Sequence, residues 1–403
     1  MSTEHELTQV LADQADRFSR SAEAGVSVDG VLARAGEIKR GRRMRATIAM
    51  AAVVLAVAVP VGVKVVGDET TSKPPVPAQQ DHSGIGLEGL ETGKAPALAY
   101  AEGPTLHLTH GDAPLPWGGR ASYFAQVRGS YLVGITGIDS TGVQILASDG
   151  RAGDKSWAMQ GGFAVSPDSR VGAFTDELGR VWAVEDGRAD TIGHVFPTPH
   201  ADGAGFSRLP FEAVAVEGSS CGGTAEAAEC TIYVNQTDDH PKVWAVTPHA
   251  EPQVVRPGLI RLTDISVGGL FAGYTEIKDD GSCSAVHDAS DAVLWQTCDH
   301  RLSTFSPDGK HLLAAGPYGD GAGDSDLTIL DARTGDVRLD LHTTGQAVVT
   351  QAVWEDDDHV LAVVLEGDRS AIVRFDLRGN RSAAVAPVKV TDDFVSPFLL
   401  AQQ

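Results

Sequence analysis

The stretch Phe305–Ala315, FSPDGKHLLAA, decides the fold, and Phe163–Phe174, FAVSPDSRVGAF, repeats it. In each, an apolar run ends at Ser-Pro-Asp, and a second apolar run follows after a few polar residues. Proline presets the backbone of a turn, and Asp with Gly closes it through side-chain hydrogen bonding and left-handed geometry. A strand, a tight turn and an antiparallel return strand are therefore expected at both places. VWEDDDHVLAVV (Val353–Val364) is a degenerate copy, and ISVGGLFAG (Ile265–Gly273) a weaker one.

Around these copies the chain reads as short runs such as RVWAVEDG, CTIYVNQ, KVWAVTP and AIVRFDLRGN. They are rich in Val, Ile, Tyr, Phe and Trp and stop at Gly, Asp or Asn, which is the grammar of strands and turns. Turn positions near Arg128, Ser166, Glu217, Ser266, Ser306, Glu355 and Ser396 recur every 38 to 51 residues, about what four strands need. The longer units carry insertions at Pro197-Thr198-Pro199, between Cys221 and Cys230, and in GDGAGDSDL. Ala97–Trp117 holds three strands, and DFVSPFLLAQQ at the far end holds one. Joined, they complete a seventh unit and remove the exposed edges. The expected fold class is all-β: a seven-bladed β-propeller over residues 96–403. On spacing alone, six or eight blades stay open.

The 403 residues are 42% hydrophobic, too apolar for a disordered chain, and the 45 glycines favour many turns. Lys and Arg total 32 against 54 Asp and Glu, a net charge of −22, which argues against nucleic acid as a partner. The charge is unevenly placed. Residues 1–45 carry 8 basic and 7 acidic groups, whereas residues 67–403 carry 23 and 47.

Between these regions lies ATIAMAAVVLAVAVPVGVKVV, Ala46–Val66, with Lys64 its one charge. As a helix it measures roughly 31 Å, enough to cross a hydrocarbon core. Lys39, Arg40, Arg42, Arg43 and Arg45 precede it, so the positive-inside rule puts the N-terminus in the cytoplasm and the β-rich region outside. A cleaved signal peptide with a site at Ala56-Val57-Ala58 is the rival, but its charged leader would be far longer than usual. The expected organisation is a cytoplasmic arm (1–45), a transmembrane helix (46–66), a flexible Pro-, Gly- and Ser-rich linker (67–95) and the propeller (96–403).

In the arm, Leu7, Val10, Leu11 and Phe18 share one helical face, and Thr3 with Glu6 forms a capping box. A second helix follows Gly25. Helices this short are marginal alone, so the stripe needs the membrane surface, its neighbour or a protein partner. All four cysteines, Cys221, Cys230, Cys283 and Cys298, lie beyond the span, as disulfides in an oxidising compartment would. Of the three pairings, Cys221–Cys230 and Cys283–Cys298 keep each bridge inside one repeat.

Motifs for chemistry are sparse. Gly218-Ser219-Ser220-Cys221-Gly222 fits G-x-S-x-G, but lies between strands rather than at a strand-to-helix elbow. Asp320, Asp324 and Asp326 supply oxygens but miss the calcium-loop spacing. Glu355-Asp356-Asp357-Asp358 and Asp279-Asp280 read as solvated turn charges. Neither a zinc pattern nor a cofactor motif is present, so no metal, cofactor or catalytic residue is expected.

FSPDGK followed by a strand, a Gly/Asp turn and LTILDARTGDV resembles the repeats of TolB-type and WD-repeat-like propellers, although the WD dipeptide is absent. The order of arm, basic collar (VLARAGEIKRGRR), span and propeller is similar to membrane proteins encoded beside extracytoplasmic-function sigma factors. This implies a non-enzymatic module that binds a protein or small-molecule ligand outside, with a sigma factor as partner of the arm. A propeller-type hydrolase or lyase of the cell envelope is the alternative.

Overall fold

Short strands bounded by tight turns pair antiparallel into four-stranded sheets, and the middle strands are buried on both faces. His359–Glu366, with six consecutive buried residues, shows why. A sheet packed on neighbours from both sides has no solvent face, so its strands read as continuous apolar runs rather than alternating ones. The computed structural model describes residues 84–116, 120–136, 141–195, 211–222, 229–238, 240–278, 281–319, 321, 323–390 and 395–403. The expected arm with Leu7, Val10, Leu11 and Phe18, and the expected span at 46–66, lie outside the described residues. Among the described residues no helix is long and apolar enough to cross a membrane.

Seven blades form in chain order. Blade 1 joins Phe398–Leu400 to Tyr100–Glu102, Thr105–Leu108 and Gly111–Pro114, so the two ends of the β-region share one sheet as expected. Blades 2 and 3 share the long strand Ala152–Val165: Ala121–Val127 begins blade 2, and Arg188–His194 ends blade 3. Blades 4 to 7 begin at Phe211–Ser220, Arg261–Ile265, Arg301–Phe305 and Ala347–Trp354. Among the described residues, seven hydrophobic clusters hold the ring, one between each adjacent pair of blades. The cluster between blades 7 and 1, with Leu98, Leu361, Ile372 and Leu400 fully or nearly buried, shows that the circle closes.

The repeated turn has one chemistry. In blade 3, Ser166 N–H donates to Val171 O (2.8 Å), and Ser166 Oγ donates to Asp168 Oδ1 (2.8 Å) while accepting from Val171 N–H (3.0 Å). Ser306, Asp308 and His311 repeat this in blade 6, and Ser266 with Leu270 repeats part of it in blade 5. Two expected turn positions differ. Glu217 lies within Phe211–Ser220, because blade 4 turns at the disulfide loop, and Ser396 precedes its inner strand rather than following it.

The linker expectation fails for 84–95. Gly84–Ile85 pairs parallel with the outer strand of blade 6, and Thr92 bridges to Ala383 of blade 7. Ile85 and Leu87 are buried. Arg381 donates to Gly86 O (2.7 Å) and Glu88 O (3.0 Å), Arg374 to Lys94 O (2.8 Å) and Ala95 O (3.1 Å), and Glu366 accepts from Leu87 N–H (2.7 Å). Composition signalled flexibility, but this strap is held through its main chain by side chains nearly 300 residues away. Glu355, expected as a wet turn charge, is instead 4% exposed and paired with Arg374.

Candidate functional site

The innermost strands surround the ring axis, and most of them are irregular. The pairing of inner and second strand shifts register in blades 2 to 7, at Ala121/Tyr123, Gln160/Ala164, Ala213/Ala215, Leu262/Asp264, Leu302/Phe305 and Val349/Gln351. Such bulges sharpen the twist and redirect side chains. They frame a cavity of about 630 Å³ lined by residues of the inner strands.

The wall formed by blades 4 to 6 is charged. Arg261 donates to Glu212 Oε2 (2.7 Å), joining blades 5 and 4. Arg301 pairs with Asp324 and donates from Nε to Gly316 O (2.8 Å). Between these pairs sits Asp264. Its Oδ1 accepts from Ile265 N–H (2.8 Å) and its Oδ2 from Phe305 N–H of blade 6 (2.7 Å). Both neighbouring guanidiniums are held by other carboxylates. Burial therefore pushes the Asp264 carboxyl up to about 7, against the two backbone donors that pull it down. Thr304 Oγ1, on the adjoining inner strand, is buried without a partner in the cavity wall. In blade 7 Gln351 holds Leu400 by two hydrogen bonds, and Trp354 Nε1 donates to Thr304 O of the neighbouring blade 6 (3.0 Å). Burial, with the Glu212 charge, raises the Tyr123 phenol.

Both expected disulfides form, Cys221–Cys230 across the inner hairpin of blade 4 and Cys283–Cys298 within blade 5. Ser220 of the G-x-S-x-G run ends a strand and donates to Glu185 Oε2 (3.1 Å) and Gly222 O (3.1 Å); this is a hairpin, not an elbow. Asp324 is engaged by Arg301, and Asp326 Oδ1 accepts from Gly316 N–H (2.6 Å), while Asp320 and Asp279-Asp280 lie outside the described residues. No group of ligating side chains that could hold a metal occurs among the described residues.

Asp264, Arg261, Arg301 and Thr304 were not singled out by motif. A signal was present, however. Aligning Ser166, Ser266, Ser306 and Glu355 places Asp264 where the other copies have Ala164, Thr304 and Val353. A lone charge at an otherwise apolar or neutral repeat position marks the site.

The strand pairing defines the class: a closed seven-bladed β-propeller with a polar central cavity. No family model and no curated protein matches the sequence. Among solved structures the chain is similar to the β-propeller domain of Cps50 (Swd1) from Myceliophteria thermophila, at 10% identity over 67% of this chain and 86% of that one, with a TM-score of 0.45. It is also similar to TolB from Acinetobacter baumannii, at 14% identity over 72% and 68% of the two chains and a TM-score of 0.41. A third similar structure is prolyl oligopeptidase B from Galerina marginata, at 10% identity over 68% of this chain and 43% of that one, with a TM-score of 0.44. These are distant likenesses, and the blade count rests on this chain's own pairing.

Proposed function

We propose that the chain is a membrane-anchored, extracytoplasmic propeller whose central cavity binds a protein segment or small molecule without turning it over. The observation that supports binding is the cavity: its volume suits a ligand site, and its wall sets a few fixed polar groups among apolar ones. The address rests on the apolar run 46–66, its basic flank and the acidic, disulfide-bonded region beyond. Through Leu7, Val10, Leu11 and Phe18 the arm holds a cytoplasmic sigma factor and responds to occupancy of the propeller.

Paired reporter fusions after residue 403 test the address. Alkaline phosphatase activity without green fluorescence is expected, and the reverse would refute it. Co-purification from the full chain tests the arm: Leu11→Asp should abolish recovery of a sigma factor, and equal recovery would remove that role. A second reading, a hydrolase or lyase, is favoured by one observation: a carboxyl that titrates near neutrality can act as a general acid or base. Turnover of a cell-envelope substrate that is lost in Asp264→Asn would establish it.

A further inference from the structure

Three side-chain carboxylates line the charged half of the cavity against two guanidiniums. Glu212 and Asp324 are each matched by an arginine, which leaves Asp264 as the carboxylate without a cation among the described residues. Its donors among the described residues are two backbone N–H groups, which fix the carboxyl group's orientation without cancelling its charge. Taking a carboxylate out of water is costly unless it is paired, so the folded protein carries an unmet electrostatic demand at this point. The surroundings suit a cation that has an apolar body. Phe163, Tyr274 and Trp354 line the same cavity, and aromatic faces attract cations.

We propose that the cavity takes a ligand bearing a primary ammonium or guanidinium group attached to an apolar body, with the charged group seated on Asp264. The proposal rests on reading the cavity as a binding site and adds the chemical class of what binds. The ligand cation completes the charge balance that the wall leaves open. A neutral or acidic ligand leaves Asp264 unmatched and gains nothing from it. The other titratable side chains facing the cavity are Glu212, Arg261, Arg301 and Asp324, already paired, and the phenols of Tyr123 and Tyr274, while Gln403 brings its α-carboxyl, which is ionised throughout this pH range, to the same cavity. Asp264 is therefore the group whose protonation controls binding. Affinity rises with pH as its carboxyl ionises, and between pH 6 and pH 8 the ionised fraction changes about tenfold for a value near 7.

The test is calorimetric titration of the full chain in lipid nanodiscs, with empty nanodiscs as reference. The probes are 4-phenylbutylamine and 4-phenylbutan-1-ol, which differ in the charged group. At pH 8 the amine should bind at least about tenfold tighter than the alcohol, and at pH 6 that preference should shrink by nearly the ionisation factor. Asp264→Asn, checked for folding by circular dichroism, should bind both probes alike at both pH values. If this variant does not fold, the two probes at two pH values on the unaltered chain still decide. Equal binding of amine and alcohol by the unaltered chain at pH 8, or an amine preference retained in Asp264→Asn, overturns the cation proposal while leaving the cavity a binding site. Failure of both probes to bind at millimolar concentration overturns the proposal and removes support from the cavity reading as well.

Discussion

At the closing seam, Glu355 and Arg374 of blade 7 are 4% and 13% exposed, and each spends its remaining capacity on the strap and the chain that follows it. Arg374 holds two strap carbonyls, and Glu355 accepts from Ala97 N–H (2.7 Å). In the channel wall of blades 4 to 6 the same chemistry is left incomplete. Two arginines are consumed by Glu212 and Asp324, and Asp264 keeps its charge unmatched. A saturated cluster is built for stability and offers nothing to a ligand. An unsaturated one costs stability and is poised to bind. The contrast separates scaffold from site by charge bookkeeping, without reference to any motif.

The largest expected effect lies on the saturated side. Glu355→Ala strands a nearly buried guanidinium and frees the chain at Ala97, so it should cost about 3–5 kcal/mol, read from the denaturant midpoint. A loss below about 1 kcal/mol would show that the seam is not held by this pair. Next come the bridges. Replacing Cys283 and Cys298 by Ser opens a loop of sequence separation 15 and should cost about 3 kcal/mol, with Cys221–Cys230, of separation 9, slightly less. Unchanged melting on complete reduction would contradict both.

On the unsaturated side the effect depends on pH. The Asp264 value rises from 3.8 to about 7 on folding, so between these limits the folded state holds a proton that the unfolded state has released. Its contribution is fully present below about pH 4 and is lost as pH rises through 7. Asp264→Asn removes that slope, so the melting temperature of the variant relative to the unaltered chain should climb by a few degrees from pH 5 to pH 8. A difference that is flat with pH would place Asp264 in water. Smallest of all, Asp149→Asn breaks an ion pair with Arg151 in which both side chains are well exposed, and should leave the melting midpoint unchanged.

The architecture was legible in the sequence because turns and burial leave local signatures. Ser-Pro-Asp at Ser166 and Ser306 carries its own hydrogen bonds, and Phe398–Leu400 completed a sheet that three early strands left short. Each disulfide lies within one blade, so counting within repeats sufficed. The strap was illegible for a physical reason. Its Gly, Pro and Ser content describes a free chain, whereas its order comes from Arg374, Arg381 and Glu366, which are far away in sequence. Glu355 was misread for the same reason: three aspartates beside it suggest solvent, and its partner lies 19 residues further on. The cavity was hidden by bulges. A shift such as Leu262/Asp264 alters which side chain meets which neighbour, and strict alternation does not anticipate it.

The most direct test of the unmatched carboxylate is its own titration. Infrared difference spectra of the unaltered chain minus Asp264→Asn, followed through the protonated carbonyl stretch from pH 3 to pH 9, isolate this one group. A midpoint near 7 is expected for a half-buried carboxyl that has lost most of its water and has no cation beside it. A midpoint in the ordinary range near 4 would mean that water or an arginine already satisfies Asp264, contradicting the account.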